Sequence, residues 1–314
     1  MIDEIPQVNS IFQQPWWLEA VAPGQWDEVV VVDNSSQIIG RLPYLYKSKL
    51  GLQYVGMPLL TQTLGPWFQL PSAKYANQLE KQKDLFDELI GKLPKFDVFV
   101  QNFHFSFRNW LPFYWHGFSQ TTRYTYAFEN LDDLDKIWQG MQKNIRGYVR
   151  KAEKQLEVKT DLDVDEFLRI NALTFERQGL NLPYSSKIVH RLDAACQKHE
   201  AGRNFYAQDK QGRIHAAIYV VWDSNSAYYL MSGADPELRS SGATSLLLWE
   251  AIKFAATVTK RFDFEGSMIE PIERFFRAFG AKQVPYFQVS KMSKRAKVLA
   301  TGRDFFKASW ELLK

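Results

Sequence analysis

Apolar and polar positions alternate in two places that predict β-hairpins. Residues 28–33, EVVVVD, have the pattern of a β-branched strand, and the polar turn NSSQ separates them from the returning strand IIGRLPYLYK. Residues 204–222, NFYAQDKQGRIHAAIYVVW, repeat the plan of strand, polar turn and strand. In each hairpin an aspartate, Asp33 or Asp209, precedes an isoleucine by the same interval. The two hairpins therefore share their spacing as well as their pattern.

A second pair of segments also repeats, in the same order. Residues 112–124, PFYWHGFSQTTRY, carry aromatic residues before Gly117, and residues 275–287, FFRAFGAKQVPYF, carry them before Gly280. Each follows a strand pattern, FDVFVQNFHF in the first half of the chain and RFDFEG in the second. Because both repeats keep one order, we predict two copies of an α/β arrangement. The alternative is that hairpins and Phe–Gly pairs recur by chance.

Helical spacing of apolar residues predicts helices between the strands. Residues 137–155, IWQGMQKNIRGYVRKAEKQ, predict one helix despite their glycines, and residues 164–178 and 186–199 predict two more. After residue 291 the chain is basic and its pattern is helical. Helices and strands therefore mix throughout, which predicts an α/β fold with a mixed sheet.

The length of 314 residues is enough for one large domain or two of ordinary size. The duplicated pattern favours two, and the acidic segment FENLDDLD at 128–135 marks the boundary. We expect an N-terminal domain over residues 1–130, a C-terminal domain over residues 131–295 and a basic C-terminal helix over residues 296–314.

Charge and cysteine content narrow the class of protein. The formal net charge of +4 is compatible with an anionic ligand but is low for a dedicated nucleic-acid-binding protein. Cys196 is the one cysteine, so no disulfide forms within the chain, and a reducing compartment is expected. The first residues lack the basic and apolar pattern of a signal peptide, and no apolar run reaches the ~18 residues of a membrane span. We therefore expect a cytoplasmic protein.

The segment DPELRSSGATSLLLWEA, residues 235–251, joins a predicted strand to a predicted apolar helix. The first turn of a helix has unpaired N–H groups and a positive dipole end, and small residues let an anion approach them. We predict a phosphate or pyrophosphate site here, the phosphate cradle. Its residues are Arg239, Ser240, Ser241, Gly242, Ala243 and Thr244. The alternative is that a serine caps the helix and the arginine is a solvated loop charge.

The order strand, cradle, helix, strand, helix, strand is that of the GNAT acyltransferase core. Arg239-x-x-Gly242-x-Thr244 resembles the pyrophosphate-loop signature (Q/R)-x-x-G-x-(G/A) of that superfamily and departs from it at Thr244. Three further segments resemble the FemAB-like branch, which includes the peptidoglycan aminoacyltransferases. They are FQQPWWLEA at 12–20, NIRGYVRKAEKQLEV at 144–158, and DFEGS at 263–267 with FFRAFGA at 275–281.

This resemblance implies two tandem GNAT-like domains with the acyl-CoA N-acyltransferase fold. It implies an acyltransferase that moves an acyl or aminoacyl group from acyl-CoA or aminoacyl-tRNA to an amine of a small molecule or peptide, such as a cell-wall or envelope precursor. The first half has no equivalent of the cradle, so we expect the second half to hold the donor and the first half to shape the acceptor cleft, with Trp16 as a substrate-binding residue. The segment after Trp17 lacks the lysine expected of peptidoglycan-linking members, which weakens that acceptor class.

In a GNAT-like site the donor lies between two splayed parallel strands, here residues 228–233 and 262–266. Freed N–H groups would polarise the acyl carbonyl, and a base would take a proton from the amine. Alternation places Asp263 and Glu265 on one face of the second strand as candidate bases, and Tyr228 is a candidate proton donor. The alternatives are that the carboxylates pair with nearby cations or end the strand, and that the tyrosine packs.

A basic stripe is predicted on the helix that includes residues 143–154. Lys143, Arg146, Arg150 and Lys154 follow one another at helical intervals. A solvated helix face is one interpretation. The other is a substrate-binding surface, formed by Arg146, Arg150 and Lys154, for a donor phosphate or an RNA end.

Other catalytic chemistries lack their motifs. The five histidines form no His-x₃-His pair, cysteines cannot pair, and no G-x-S-x-G elbow occurs, so we expect no metal and no covalent nucleophile. Two rival functions stay open: a catalytically inactive GNAT-fold binding protein and a weak RNA-binding module.

Overall fold

The computed structural model describes residues 4–160 and 162–299. They divide into a first lobe, the described part of Met1–Arg123 with Pro285–Lys314, and a second lobe, Tyr124–Val284. Compactness alone does not define a domain, so the domain limits at residues 130 and 295 stay predictions. Of the C-terminal helix expected over residues 296–314, residues 300–314 lie outside the described residues.

Strands and helices alternate along the chain, and the α/β class predicted from the apolar pattern is confirmed. The strands are β1 (Trp26–Val32), β2 (Ile38–Lys49), β3 (Leu52–Gly56), β4 (Trp67–Phe68), β5 (Val98–Asn102), β6 (Ser119–Phe128), β7 (Leu156–Lys159), β8 (Gly202–Asp209), β9 (Ile214–Trp222), β10 (Ala227–Ala234), β11 (Phe262–Asp263) and β12 (Lys282–Met292). The helices are α1 (Pro15–Val21), α2 (Tyr75–Lys92), α3 (Leu111–Trp115), α4 (Leu134–Gly140), α5 (Lys143–Glu153), α6 (Val164–Glu176), α7 (Ser186–Lys198), α8 (Ala243–Val258), α9 (Glu270–Ala278) and α10 (Lys294–Leu299).

The first lobe is built on strands in the order β1-β2-β3-β5-β12, with β4 also paired to β2. Its core is rich in phenylalanine rings from β5, α2, α3 and the loops between them, including Phe86, Phe103 and Phe113. Phe103 and Phe113 meet edge to face with their ring centroids 5.0 Å apart, a favourable arrangement of aromatic quadrupoles. The segment after β3 leads to β4, and α2 begins only at Tyr75.

The second lobe is built on strands in the order β6-β11-β10-β9-β8-β7. Helix α8, the apolar helix predicted after the cradle, packs on β8 and β9, and Leu247, Leu248, Ala251 and Ile252 are fully buried. Burial of each leucine contributes about 1.5–3 kcal/mol. Leu246 and Trp249 are buried as well, so α8 is covered on more than one side and its N-terminus is firmly placed.

Both predicted repeats appear in the structure. β1 pairs antiparallel with β2, and β8 pairs antiparallel with β9. In the other repeat, α3, Gly117 and β6 correspond to α9, Gly280 and β12. Both glycines have left-handed φ values, +77° and +84°, which a glycine adopts without steric cost. A sharp helix-to-strand turn therefore explains the Phe–Gly pattern in each half.

The prediction of one helix over residues 137–155 is wrong, because the chain forms α4 and α5 instead. Met141 and Gln142 have extended ψ values of 145° and 149°, and the Gln142 N–H donates to the Ala278 carbonyl at 2.9 Å. Gly280 lies so close that a Cβ there would be 2.5 Å from the Gly140 carbonyl oxygen. Packing against the end of α9 thus breaks the helix. Within the described ranges, no helix has the length and apolar composition needed to cross a bilayer.

Candidate active site

The two strands expected to splay do so, and this prediction is confirmed. β10 and β11 pair in parallel at only two positions, Ala227 with Phe262 and Tyr228 with Asp263. Beyond them β10 continues to Ala234, with an irregularity in its pairing to β9 between Tyr229 and Met231. The Phe264 N–H still donates to the Tyr126 carbonyl of β6 at 2.9 Å, so the segment after β11 follows β6 and no longer pairs with β10. We call the place where β10 and this segment are unpaired, level with the buried Glu265, the gap between β10 and β11.

The phosphate cradle lies between β10 and α8. Residues Arg239–Ser241 form a single 3₁₀ turn, and Gly242 follows with φ +85° as the residue before the first turn of α8. The Ala243 N–H donates to the Ser241 hydroxyl at 3.3 Å. The first turn of α8 faces a cavity of about 600 Å³, to which Thr244 and Ser245 contribute. Helix N–H groups and the positive dipole end therefore border an open space, as an anion site requires.

Helix α5 forms another wall of this cavity. A Cβ at position 242 would lie 2.6 Å from the Tyr148 carbonyl oxygen, so only glycine permits this approach of the cradle to α5. Lys151 donates from Nζ to the Ser240 carbonyl at 2.6 Å. Lys151 therefore adds a positive charge to the cradle, alongside the exposed Arg239.

The basic stripe predicted on α5 does not include Lys151, the cation of this helix that lies at the cradle. Lys143, Arg150 and Lys154 are exposed and Arg146 is half-buried. The Arg150 guanidinium lies over the Trp138 ring, 5.5 Å from its centroid. Lys151 directly follows Arg150 in the sequence, so it does not fall at the helical intervals that define the stripe. A substrate-binding role for Arg146, Arg150 and Lys154 stays a prediction.

The two candidate carboxylates are neighbours, but not through strand alternation, and that part of the prediction is wrong. β11 ends at Asp263, and Glu265 has a left-handed φ of +57°. Asp263 accepts hydrogen bonds from the Thr125 hydroxyl, from the Glu265 N–H at 2.8 Å and from Arg261 at 3.3 Å. The alternative that one carboxylate pairs with a nearby cation therefore holds for Asp263.

Burial sets the protonation of this cluster. It raises the pKa of Glu265 well above its ordinary value, and the charge of Asp263 adds to the shift. Burial also raises the pKa of Asp263, although Arg261 and the Thr125 hydroxyl oppose the rise. Tyr228 is buried nearby; burial and the charges of Asp223 and Asp263 raise its pKa well above 10.0. Burial therefore favours the protonated forms of these groups, and pKa values perturbed in this way are common at acid–base sites.

Helix α6 covers part of the edge of β10 beyond β11. The Asn171 amide donates to the Ser232 carbonyl at 2.5 Å, and the Ala234 N–H donates to the Thr174 hydroxyl at 3.1 Å. A Cβ at Gly233 would lie 2.3 Å from the Ile170 carbonyl oxygen. The splay was expected to leave strand N–H groups free for the acyl carbonyl, and at Ala234 this is wrong.

One predicted site residue belongs to the first lobe, and one residue of the cradle cavity was not predicted. Trp16 is buried in the first lobe and packs against Trp17, with ring centroids 5.8 Å apart. His215 of β9 lines the cradle cavity, although no motif in the sequence marked it. In the part of the chain that the structure describes, no group of three or more His, Cys, Asp or Glu residues is placed to hold a metal ion.

A family match covers most of the residues of this site. Residues 139–271 match the family described as acetyltransferase (GNAT) domain. Among curated proteins, none matches the chain in sequence.

Solved structures match nearly the whole chain at low identity. A crystal structure of FemX has a TM-score of 0.64 and 12% identity, and the match covers 92% of this chain and 94% of FemX. L-PGS from Bacillus licheniformis matches with a TM-score of 0.53 at 10% identity, covering 94% and 90% of the two chains. A tandem GNAT protein from the clavulanic acid biosynthesis pathway has a TM-score of 0.51 at 11% identity, with 85% and 82% covered. The acyl-CoA N-acyltransferase fold and the likeness to FemAB-like proteins are thereby confirmed as matters of fold.

Proposed function

We propose, from the GNAT acetyltransferase domain at residues 139–271, that this chain transfers an acyl or aminoacyl group from a phosphate-bearing donor to an amine. The observation that carries the proposal is the coincidence of three features in the second lobe. The phosphate cradle, the gap between β10 and β11 and the buried Asp263–Glu265 pair follow one another along the same strands. The phosphate-bearing part of the donor, which we call the carrier, would bind at the cradle. The acyl group would then lie in the gap, beside the carboxyl pair that accepts the proton.

The cradle would bind the carrier of the donor. Thr244 and Ser245 lie in the first turn of α8, where N–H groups have no partner within the helix. Lys151 and Arg239 supply positive charge on the same cavity. A charge-assisted hydrogen bond to phosphate is about twice as strong as a neutral one. These residues therefore fix the carrier while leaving the acyl end free to reach the gap.

The carboxyl pair would manage the proton of the attacking amine. An amine becomes a stronger nucleophile when a base takes its proton during attack. Burial raises the pKa of Glu265 well above its ordinary value, so its ionised fraction, and with it the activity, should still be increasing with pH above that ordinary value. Tyr228, whose pKa is also raised, keeps its hydroxyl proton and can return one to the leaving group. No covalent enzyme intermediate is needed.

Two donor classes fit the site, and different observations favour them. Acyl-CoA is the general donor of the GNAT fold, and the cradle favours it. Aminoacyl-tRNA is the donor implied by the resemblance to FemAB-like proteins. The bonds of Asn171 and Thr174 to β10 favour it, because they occupy strand groups that the amides of an extended CoA arm would otherwise pair with. An amine of a small molecule or peptide is the acceptor in either case.

A transfer assay separates these possibilities. The protein is incubated with acetyl-CoA or with tRNA charged with labelled amino acids, together with a panel of amines, and products are identified by mass spectrometry. Label on an amine with one donor supports transfer and names the donor. Binding of CoA or tRNA without any product would favour the inactive binding protein or the RNA-binding module instead.

Arg239→Glu is expected to raise the KM for the donor about tenfold, because it replaces a positive charge on the cavity with a negative one. The kcat should change little, since Arg239 lies at the carrier end of the site. Steady-state kinetics over a range of donor concentration measure both constants. Lys187→Glu, an equal charge reversal at an exposed position of α7, is the matched control and should leave the KM unchanged. Equal KM values in the two variants would contradict the role of Arg239.

A further inference from the structure

A buried histidine, His215, lines the cavity at the phosphate cradle, and one of its ring nitrogens has no hydrogen-bond partner among the described residues. The His215 side chain is 8% exposed, and its Nε2 lies 3.1 Å from an Asp209 carboxylate oxygen. Its Nδ1 is buried without a hydrogen-bond partner among the described residues. Buried ring nitrogens are normally hydrogen-bonded, so this one has the features of a ligand-binding group.

We propose that Nδ1 of His215 binds a phosphate of the donor's carrier and that the imidazole takes up one proton when it does so. This inference rests on the proposed function, because it names a further ligand of the same phosphate cradle. It adds a residue from β9 to a site otherwise formed by the cradle residues, α5 and the first turn of α8.

The proton follows from the hydrogen bonds of the ring. Asp209 accepts from Nε2, so the neutral imidazole carries its hydrogen there and offers only a lone pair at Nδ1. A phosphodiester oxygen is also an acceptor, and two acceptors repel each other. An imidazole can gain a second proton from water between about pH 5 and 8, after which both nitrogens donate. Phosphate binding therefore requires the charged ring.

The ring has an ionised carboxylate on its Nε2 side. Asp209 also accepts two hydrogen bonds from the Arg213 guanidinium and backbone N–H, at 2.8 and 2.9 Å. Burial alone would raise the pKa of Asp209, but the bonds from His215 and Arg213 outweigh it and hold the pKa below its usual range. The carboxylate thus stays ionised beside the imidazolium. The other titratable or charged groups near the ring are Tyr148, Lys151, Asp235 and Arg239.

The position of His215 assigns it to the carrier and not to the reacting acyl group. Its carbonyl accepts from the Asp235 N–H at 3.0 Å, so it lies level with the end of β10. The pairing irregularity beside the gap is near Leu230. Five residues of strand separate the two places, which is about 17 Å at ~3.3 Å per residue. A base for the amine at that distance is excluded, whereas a phosphate ligand is well placed.

Isothermal titration calorimetry in buffers of different ionisation enthalpy tests the inference. The probes are dephospho-coenzyme A and a short RNA ending in CCA, whose phosphodiesters do not titrate near neutral pH. For the probe that binds, we expect uptake of about half to one proton at pH 7 and an affinity that falls about tenfold from pH 6 to pH 8. His215→Gln should abolish both effects. His190→Gln is the matched control, because that histidine is exposed and pairs with Asp165.

A second readout does not depend on a variant that folds. In the wild-type protein, ¹⁵N NMR of the imidazole should show one buried histidine moving to the imidazolium form when the probe is added. Binding without proton uptake, uptake that persists in His215→Gln, or binding of neither probe would overturn the inference. Transfer activity with pH-independent binding would refute this inference alone, whereas proton-linked binding without transfer would refute the proposed function alone. The probe that shows the linkage identifies the source of the phosphate.

Discussion

Glu265→Gln is expected to lower kcat about 100-fold, the contribution typical of one acid–base group. Glutamine keeps the shape of the protonated carboxyl but cannot take a proton from the amine. Because burial raises the pKa of Glu265 well above its ordinary value, the site favours a neutral side chain, and the neutral glutamine should be compatible with the fold. Single-turnover rates with a saturating donor measure the effect. Glu270→Gln, at an exposed position in the first turn of α9, is the control.

The pH dependence of the same variant gives an independent test. In the wild type, kcat/KM should rise with pH as Glu265 ionises, and the variant should lack this rise. The free energy of unfolding of the wild type should instead decrease as the pH rises. Above pH 4.5 the unfolded carboxyl ionises while the folded one stays protonated, so the wild type loses stability as pH rises toward its folded pKa. Denaturant unfolding should show a smaller loss in Glu265→Gln. An unchanged kcat and pH profile would remove Glu265 from the mechanism.

Gly242→Ala is expected to disrupt the phosphate cradle itself. Alanine at a φ of +85° is strained, and its Cβ would meet the Tyr148 carbonyl oxygen at 2.6 Å. The cost should be about 1–3 kcal/mol in the free energy of unfolding, with a loss of donor affinity of at least about tenfold as the α8 N-terminus moves from α5. Denaturant unfolding and equilibrium binding measure the two effects.

A second left-handed glycine separates backbone strain from the contact with α5. Gly179 has φ +69°, and among the described residues no atom lies within 4 Å of the position of its Cβ. Gly179→Ala should therefore cost less stability and leave donor affinity intact. If both alanine variants bound the donor as the wild type does, the contact between the cradle and α5 would have no role in binding.

Local patterns were sufficient to predict most of the fold. The two hairpins, the turns at Gly117 and Gly280 and the buried face of α8 all follow from residues within about twenty positions of each other, where periodicity and turn chemistry are informative. These features depend little on distant contacts. The splay between β10 and β11, by contrast, was expected only from the resemblance to GNAT acyltransferases.

The rest of the site depends on contacts between distant segments. Thr174 reaches Ala234, and Lys151 reaches Ser240, across separations that no periodicity encodes. The strand pattern of RFDFEG continued past Asp263, whereas the structure ends β11 there because Glu265 turns into a left-handed conformation. His215 lies inside an ordinary strand pattern, so the sequence does not mark it. Only the structure shows that it lines the cavity and that its Nδ1 has no hydrogen-bond partner among the described residues.

A crystal structure with the donor that yields product tests whether the cradle binds the donor's phosphate and the gap its acyl group. We expect a phosphate within about 3 Å of the N–H groups of Thr244 and Ser245, a hydrogen-bonding distance, with the acyl carbon in the gap between β10 and β11 beside Glu265. A donor bound with its phosphates away from the α8 N-terminus, or with that gap empty, would contradict it.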